Sequence, residues 1–354
     1  MANAPIPIEN TLVLGIESSC DETAAAVIKG GTVIASSVVA SQEELHARFG
    51  GIVPEVASRK HVQLMPAVVD QALMTARAKW SDLTAIAVTN GPGLVGSLIV
   101  GVAAAKAYSM TSGVPLIGVN HIDAHVHAVF LHQHGERSAF DASGAHFPIV
   151  CLVASGGHCD LLHVEARGEY RLLGCALDDA PGEAFDKAAR LLDLGYPGGP
   201  AVERAAASAS GASSTVDLPR PDVRGSLDFS FSGLKSALVR TMEHRDEDHA
   251  VVDIAHEFQS AVAETLVRNT MRAVETVGAK GVTLGGGVAA NSHLRELMAA
   301  EAGERGVPCA VAPRALCTDN AAMVAAAGAY AILRQGPDDL SLDVFSTLQV
   351  ANHE

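Results

Sequence analysis

The sequence predicts an α/β protein built from two similar lobes, and three observations carry that expectation. Residues 12–28 and 149–164 each give an apolar run, a tight polar turn and a second apolar run. The turns are Glu17-Ser18-Ser19-Cys20-Asp21-Glu22 and Ser155-Gly156-Gly157-His158, and each unit is followed by a further short turn, Gly30-Gly31 or Arg167-Gly168, and a third strand-like run. Beyond both, strand-length apolar runs alternate with stretches of helical spacing, the pattern of an α/β fold. Two copies about one domain length apart imply duplicated lobes whose turns face a shared cleft.

After the first three strands, residues 43–51 and 53–69 carry helical spacing, with Arg48, Arg59, Lys60 and His61 on the polar side. Residues 83–88 form a short strand that enters the Gly-rich stretch 89–97, and the following helix runs to about Met110. Another strand spans 114–119, and 120–131 reads as a histidine-rich helix. Residues 133–147 are polar and broken, so the lobes divide there, as 1–140 and 141–354. The second lobe repeats the hairpin and then opens a helix at Asp178-Asp179-Ala180-Pro181-Gly182-Glu183, where proline and acidic residues suit the unpaired N–H groups and the macrodipole. Residues 196–200 form a rigid loop, 205–215 a small polar excursion within a surface insertion near 201–250, and Val251–Val277 a long helix. A strand at 281–284 runs through Gly285-Gly286-Gly287 into a helix from about Asn291. The last helix, 320–334, is nearly all small residues and must be deeply packed; 336–354 has no clear assignment.

At 354 residues, 48% hydrophobic and 18% charged, the chain supports two real cores and is expected to be soluble. No apolar run reaches the roughly 18 residues of a membrane span, and residues 1–10 lack the basic and apolar regions of a signal peptide. The six cysteines form no CxxC pair, which argues against a disulfide framework or zinc ribbon and for the cytoplasm. A formal net charge of −15 excludes a surface that binds nucleic acid all over, so any such substrate must meet a local basic patch or a basic partner.

Several motifs have two readings. Gly91-Pro92-Gly93-Leu94-Val95-Gly96 satisfies G-x-G-x-x-G, but the next acidic residue is Asp123, beyond another strand, and the proline removes an N–H donor. A structural or substrate-facing turn fits it better than a dinucleotide site. His121 and His125 share one helical face and are spaced to hold a metal, or are two surface histidines. Ile122 stands where a zincin has its glutamate, so peptide hydrolysis by that route is unsupported. His127, His132 and His134 are expected to be solvated. Gly285-Gly286-Gly287 with Ala290-Asn291 suits either a phosphate-facing turn or a tight strand–helix connection. Asp186-Lys187 reads as a solvated pair, and Thr318 or Asp319 as an ordinary helix cap.

Taken in order, these stretches resemble one family. They are Gly15–Thr23 with Glu17-Ser18-Ser19-Cys20-Asp21-Glu22, residues 90–97, His121-Ile122-Asp123-Ala124-His125, Ser155–His158, Gly182-Glu183-Ala184-Phe185-Asp186-Lys187, 196–200, Phe229-Ser230-Phe231-Ser232-Gly233-Leu234-Lys235, 285–291 and Cys317-Thr318-Asp319-Asn320. The chain is similar, from about Leu12 to Arg334, to the TsaD/Kae-type (formerly glycoprotease, Gcp) family of tRNA threonylcarbamoyladenosine transferases. Ala124 departs from the glycine usual in the His-x-x-x-His segment, without removing either imidazole. The resemblance implies the actin/sugar kinase/Hsp70 (ASKHA) fold, two RNase H-like lobes around a central nucleotide cleft. It also implies transfer of a threonylcarbamoyl group from threonylcarbamoyl-AMP to N6 of the adenosine 3′ to the anticodon, in tRNAs reading codons that begin with A.

By the same resemblance, His121, His125 and Asp319 bind one divalent metal, iron or zinc. Val153, Ala154, Ser155, Gly156 and Gly157 hold the acyl-phosphate of threonylcarbamoyl-AMP or ATP. Asp186 and Glu203 hydrogen-bond the ribose or nearby groups, Gly199 lies beside the nucleoside and Asn291 near the adenine. The donor is a mixed anhydride with AMP as leaving group, and a metal with an open position suits its need for carbonyl polarisation. The amine of adenosine is the nucleophile, so no enzyme Ser or Cys need be acylated. Arg48, Arg59, Lys60, Arg220, Arg224, Lys235 and Arg240 are candidate tRNA phosphate contacts. The implied partners are a TsaB-type paralogue pairing with the first lobe through 53–69 and 94–108, a TsaE-type ATPase, and a TsaC-type enzyme supplying the intermediate. The competing readings are a metalloprotease acting on glycoproteins, a sugar or acid kinase on the same fold, and a non-catalytic nucleotide-binding scaffold.

Overall fold

The computed structural model of the protein describes residues 7–209, 216–243 and 250–350. Strands β1 (Leu12–Glu17), β2 (Glu22–Lys29) and β3 (Val33–Ser41) form an antiparallel meander. Helices α1 (Glu43–Ala47) and α2 (Pro54–Ala76) lead to β4 (Ala85–Gly91), and α3 (Val95–Ser112) to β5 (Leu116–Asn120). Then come α4 (His121–His127), β6 (His132–Gln133) and α5 (Ala139–Ser143). The pattern restarts with β7 (Ile149–Ala154), β8 (Cys159–Ala166), β9 (Glu169–Cys175), α6 (Pro181–Leu191), α7 (Gly198–Ala206), α8 (Ser232–Glu243) and α9 (Val251–Val277). It closes with β10 (Val282–Gly285), α10 (Ser292–Glu304), β11 (Cys309–Val311), α11 (Arg314–Cys317) and α12 (Ala321–Gln335).

The expected duplication is visible in the strand order. One sheet runs β5-β4-β1-β2-β3-β6 and the other β11-β10-β7-β8-β9. In each, the first strand pairs antiparallel with the second and parallel with a strand reached through helices, β4 in one and β10 in the other. Buried on both faces, β7 is apolar throughout, while β1 and β4 are apolar until their last residues, Glu17 and Thr89-Asn90-Gly91, as central strands between covering helices require.

The chain divides into two compact units, but not only at residue 140. Residues from 319 onward, with 167–169, belong with the first unit, and 143–166 with 170–318 form the second. The expectation that 141–354 is one lobe is corrected accordingly. The cause is close packing: α12 lies on β1, where a side chain at Gly15 would come within 2.2 Å of the Ala321 carbonyl oxygen. The small residues of α12 are what let a helix backbone approach a strand this closely. Their burial, from Ala321 through Ala327, matches the deep packing expected of that helix.

Other boundaries differ for local reasons. Helix α2 continues to Ala76, because Ala72 and Leu73 extend its buried stripe, whereas α1 stops at Ala47, ahead of Gly50-Gly51. The 120–131 helix is shorter, tightening after His127 into a 3₁₀ turn, Ala128–Phe130. The segment 196–200 is not a loop throughout: Gly198 begins α7, with Pro200 in a first turn that tolerates its missing N–H. The excursion placed at 205–215 therefore starts in helix, while 210–215 and 244–249 lie outside the described residues. Within the expected insertion, α8 forms on Leu234, Ala237 and Leu238, a buried i, i+3, i+4 set. The unassigned segment after 336 binds across β4 and β5: Gly118 N–H donates to Asp338 Oδ2 (2.7 Å), Phe345 N–H to the Asn90 carbonyl (2.8 Å) and Asn120 Nδ2 to the Leu348 carbonyl (3.0 Å). Among the described residues, no helix is long and apolar enough to cross a membrane.

Candidate functional site

The first unit gathers ionisable side chains where β1, α4 and α12 meet. Asn120 caps α4, its Oδ1 accepting from Ile122 N–H (2.8 Å) and Asp123 N–H (3.3 Å). The cap starts the helix at His121 and puts His125 one turn along on the same face. The two rings meet edge to face, 4.7 Å between centroids. Asp319 stands just before α12, whose own N-cap, Asn320, accepts from Met323 N–H (3.1 Å). His125 Nε2 lies 3.1 Å and His121 Nε2 3.5 Å from Asp319 Oδ1. One donor atom from each of His121, His125 and Asp319 falls within 4.8 Å of the others, a possible metal-binding triad. Ala124 is fully buried on α4, so the methyl that departs from the family pattern is accommodated.

Both imidazoles are almost completely buried, and their protonation is set by neighbours. Burial opposes charge on His121, but Asp319 and Glu17 outweigh it and push its pKa up to about 9. Burial dominates at His125 and lowers its pKa despite the hydrogen bond to Asp319. His125 Nδ1 is buried with no hydrogen-bond partner among the described residues. Two imidazoles and one carboxylate facing one point form a nitrogen-rich donor set of the kind that suits zinc or iron, so the residues fit a bound cation. His127, expected to be solvated, is instead 1% exposed. Its Nδ1 lies 3.1 Å from Asp123 Oδ1 and its ring packs on Tyr330, which takes it out of the donor set. His132 is half-buried and His134 exposed.

The second unit brings the expected nucleotide residues together by backbone and capping. At Gly286, with φ 85°, a Cβ would lie 2.3 Å from the Ala154 carbonyl oxygen, so the turn after β10 rests against the end of β7. Val153 and Ala154 are buried in that strand and Ser155 at its end, while Gly156 and Gly157 are exposed with open space where a side chain would point. The carbonyls of Ser155 and Gly156 accept from Gly182 and Glu183 N–H (both 3.1 Å), which uses the first amides of α6 to hold the turn. Asp186 Oδ1 accepts from Gly198 N–H (2.7 Å), fixing the start of α7 beside Gly199. Glu203 accepts from Ser292 N–H (2.9 Å), and Asn291 caps α10 through Leu294 N–H (3.0 Å) while its Nδ2 donates to Gln259 (2.8 Å). Asp186 and Lys187 are therefore no solvated pair; Lys187 is tied to Asp179 and Glu183.

The basic candidates are more scattered. Arg48, Arg224 and Arg240 are exposed and Lys60 and Lys235 half-buried. Arg59 pairs with Glu55 (2.7 Å). Arg220 is committed to Glu257 and Glu264, which raise its pKa.

Sequence reasoning assigned no role to Glu17, which the structure places fully buried against His121, with Oε2 3.1 Å from Nδ1. The available signal was a carboxylate closing an otherwise apolar strand, Leu12–Glu17.

Fold and cluster define a class: an α/β protein of the actin/sugar kinase/Hsp70 type with a buried two-histidine, one-carboxylate cluster in its first unit. The fold is shared with the Thermococcus kodakarensis HypF structure (TM-score 0.58, 15% identity, covering 94% of this chain and 49% of that one). It is shared as well with component A of the Acidaminococcus fermentans (R)-2-hydroxyglutaryl-CoA dehydratase (TM-score 0.53, 16% identity, 92% and 100% covered). The TsaD model, tRNA N6-adenosine threonylcarbamoyltransferase, matches residues 33–326. Relatives of that name are 50% identical over 321 residues in Symbiobacterium thermophilum (90% of this chain, 91% of the relative) and 45% identical over 351 residues in Desulfitobacterium hafniense (98% and 100%). The chain belongs to the tRNA N6-adenosine threonylcarbamoyltransferase family.

Proposed function

We propose that the chain transfers the threonylcarbamoyl group of threonylcarbamoyl-AMP to N6 of the adenosine 3′ to the anticodon, in tRNAs reading codons that begin with A, and does so in the cytoplasm. The N6 amine forms a bond to the carbamoyl carbon, the bond from that carbon to the phosphate oxygen breaks, AMP leaves, and the amine loses a proton. The observation that carries the reading is the buried His121, His125 and Asp319 cluster in a chain of this family. A cation held by those three side chains, iron or zinc, would supply Lewis acidity for such an acyl transfer. The exposed Gly156-Gly157 turn offers backbone N–H groups to acyl-phosphate oxygens and to developing oxyanion charge. In this reading Asp186, Glu203 and Asn291 act mainly by fixing the starts of α7 and α10, with Gly199 leaving open space beside them.

The rivals fit less well. A protease needs an ionised carboxylate poised to activate water. Glu17 already accepts from Ser19, Thr89 and His121. Burial, with Asp21 and Asp319 nearby, pushes Glu22 up to about 9, so it is protonated at neutral pH. A sugar or acid kinase has no task for the histidine cluster. Pairing with a TsaB-type paralogue through α2 and α3 is supported by their exposed apolar side chains, Val62, Met74, Val95, Ile99 and Met110. A TsaE-type ATPase and a TsaC-type supplier of the intermediate complete the proposed assembly. tRNA would meet the exposed basic residues Arg48, Arg224 and Arg240, while Arg220 serves the fold.

The test is incorporation of labelled threonine into an unmodified tRNA reading A-initial codons, with ATP, bicarbonate and partners, with and without this chain. Label on the adenosine beside the anticodon, lost with His121→Ala, is the expected result. No label with every partner present overturns the reading.

A further inference from the structure

We propose that Glu17 is the positioning residue of the metal centre, holding His121 in the tautomer that presents Nε2 toward the cation. This rests on the metal reading of the cluster. Glu17 ends β1 with no exposure, and its only ion-pair partner among the described residues is His121. A buried carboxylate is tolerated only where donors converge on it, and three do. Oε1 accepts from Ser19 N–H (2.5 Å), while Oε2 accepts from Thr89 Oγ1 (2.7 Å) and faces His121 Nδ1 (3.1 Å). Ser19 Oγ also lies 3.3 Å from Nδ1 and can either give or take a proton there, whereas an ionised carboxylate can only accept, so the closer Glu17 requires the proton on Nδ1. A neutral imidazole protonated there carries its lone pair on Nε2, the nitrogen on the Asp319 side. At 3.5 Å, Nε2 and Asp319 Oδ1 are too far apart for a good hydrogen bond but suitably spaced for two ligands of one ion.

His125 has no such support. Its Nε2 is 3.1 Å from Asp319, and among the described residues its buried Nδ1 has no acceptor to receive the proton when Nε2 turns to a metal. His121 is thus the fixed ligand and His125 the adjustable one. The two carboxylate oxygens also explain why an amide cannot replace Glu17. Ser19 N–H and His121 Nδ1–H are held by different oxygens. Glutamine has one oxygen, so either orientation sets its NH₂ against an N–H or drives the His121 proton to Nε2.

The experiment uses the full chain, stripped of metal by chelation and titrated with Zn²⁺ against a chromophoric chelator, comparing wild type with Glu17→Gln. The variant is expected to bind Zn²⁺ about 10–100-fold more weakly, the usual loss when an outer-shell partner is removed. In the ¹⁵N-histidine NMR spectrum of the zinc-loaded wild type, His121 should carry its proton on Nδ1 and its metal on Nε2. Unchanged zinc affinity in a folded Glu17→Gln protein overturns the proposal, and so does zinc on Nδ1 of wild-type His121. The wild-type spectrum decides alone should the variant not fold. Failure of wild type to take up zinc, or uptake undiminished in His121→Ala, sinks the metal reading itself, a result distinct from either of those.

Discussion

The turn after β1 and the turn after β7 occupy equivalent places in two sheets of the same strand order, yet they deliver opposite materials. The first runs from Glu17 through Asp21 and Glu22 and lies near two buried histidines and Asp319. The second offers Gly156 and Gly157, exposed backbone without side chains, while the acidic and amide residues around it are spent on caps and turn anchors. The first site depends on where protons sit, because charged groups are buried together and each neighbour shifts the next. The second depends on where backbone sits. One topology supports both because strand order fixes only the place of a turn, and the turn residues decide its chemistry.

The largest expected effect breaks the second region while sparing the first. Gly286→Ala forces a methyl to within 2.3 Å of the Ala154 carbonyl oxygen at a residue with φ 85°. Strain and overlap together should cost about 3 kcal/mol or more. Urea unfolding measures that loss, and equilibrium dialysis should still find zinc bound to the folded fraction through the first unit. Loss of zinc uptake in chain that remains folded would mean the two regions are not separable.

A middle-sized effect separates capping from ligand contact at Asn291. Asn291→Ala removes the acceptor for Leu294 N–H and leaves the Gln259 amide without its partner, for about 1–2 kcal/mol. Asn291→Asp keeps a capping oxygen, and Gln259 can turn its NH₂ toward it, so the loss should stay below about 1 kcal/mol. Denaturation midpoints give the stabilities, and the affinity for a non-hydrolysable acyl-adenylate analogue supplies the second readout. If capping is the role, Asp restores both stability and affinity; if the amide touches the adenine, affinity stays low in both variants.

The fold class and the possible metal-binding triad were readable in the sequence for different reasons. Duplicated hairpins and alternating elements are periodic signals, so the two sheets could be read directly from hydrophobic pattern. His121 and His125 are neighbours along a helix, and spacing alone places them on one face. Asp319 is 194 positions from His125, and only the resemblance to a family tied it to them. What stayed hidden depended on packing between distant segments. Nothing local shows that α12 returns to β1, and only Gly15, a small residue in an apolar strand, hints at close approach. Local pattern leaves His127 in solvent, whereas part of its burial comes from Tyr330, on α12. Glu203 and Asn291 were expected at a ligand, and the structure ties them to the start of α10, a partnership that no spacing rule reports.

The smallest effect sharpens the contrast in how the two units use acidic groups. Asp178, in the second unit, is exposed, yet it accepts from the hydroxyls of Ser230 and Ser232 (2.6 Å each) and from Phe231 N–H (2.7 Å). Its partial burial tends to raise its pKa, but these donors prevail and hold it below the usual aspartate value. A depressed carboxylate adds stability above its unfolded pKa and gives it up as pH falls through the folded one. Asp178→Asn should therefore cost under about 1 kcal/mol at neutral pH, since solvent screens the site, and progressively less below about pH 4. Melting temperatures of both proteins measured from pH 7 down to pH 3 should converge at the acid end. A gap that stays constant across that range would mean that Asp178 acts through the shape of its hydrogen bonds rather than its charge. In that case the clamp on residues 230–232 would be as dependent on backbone placement as the glycine turn.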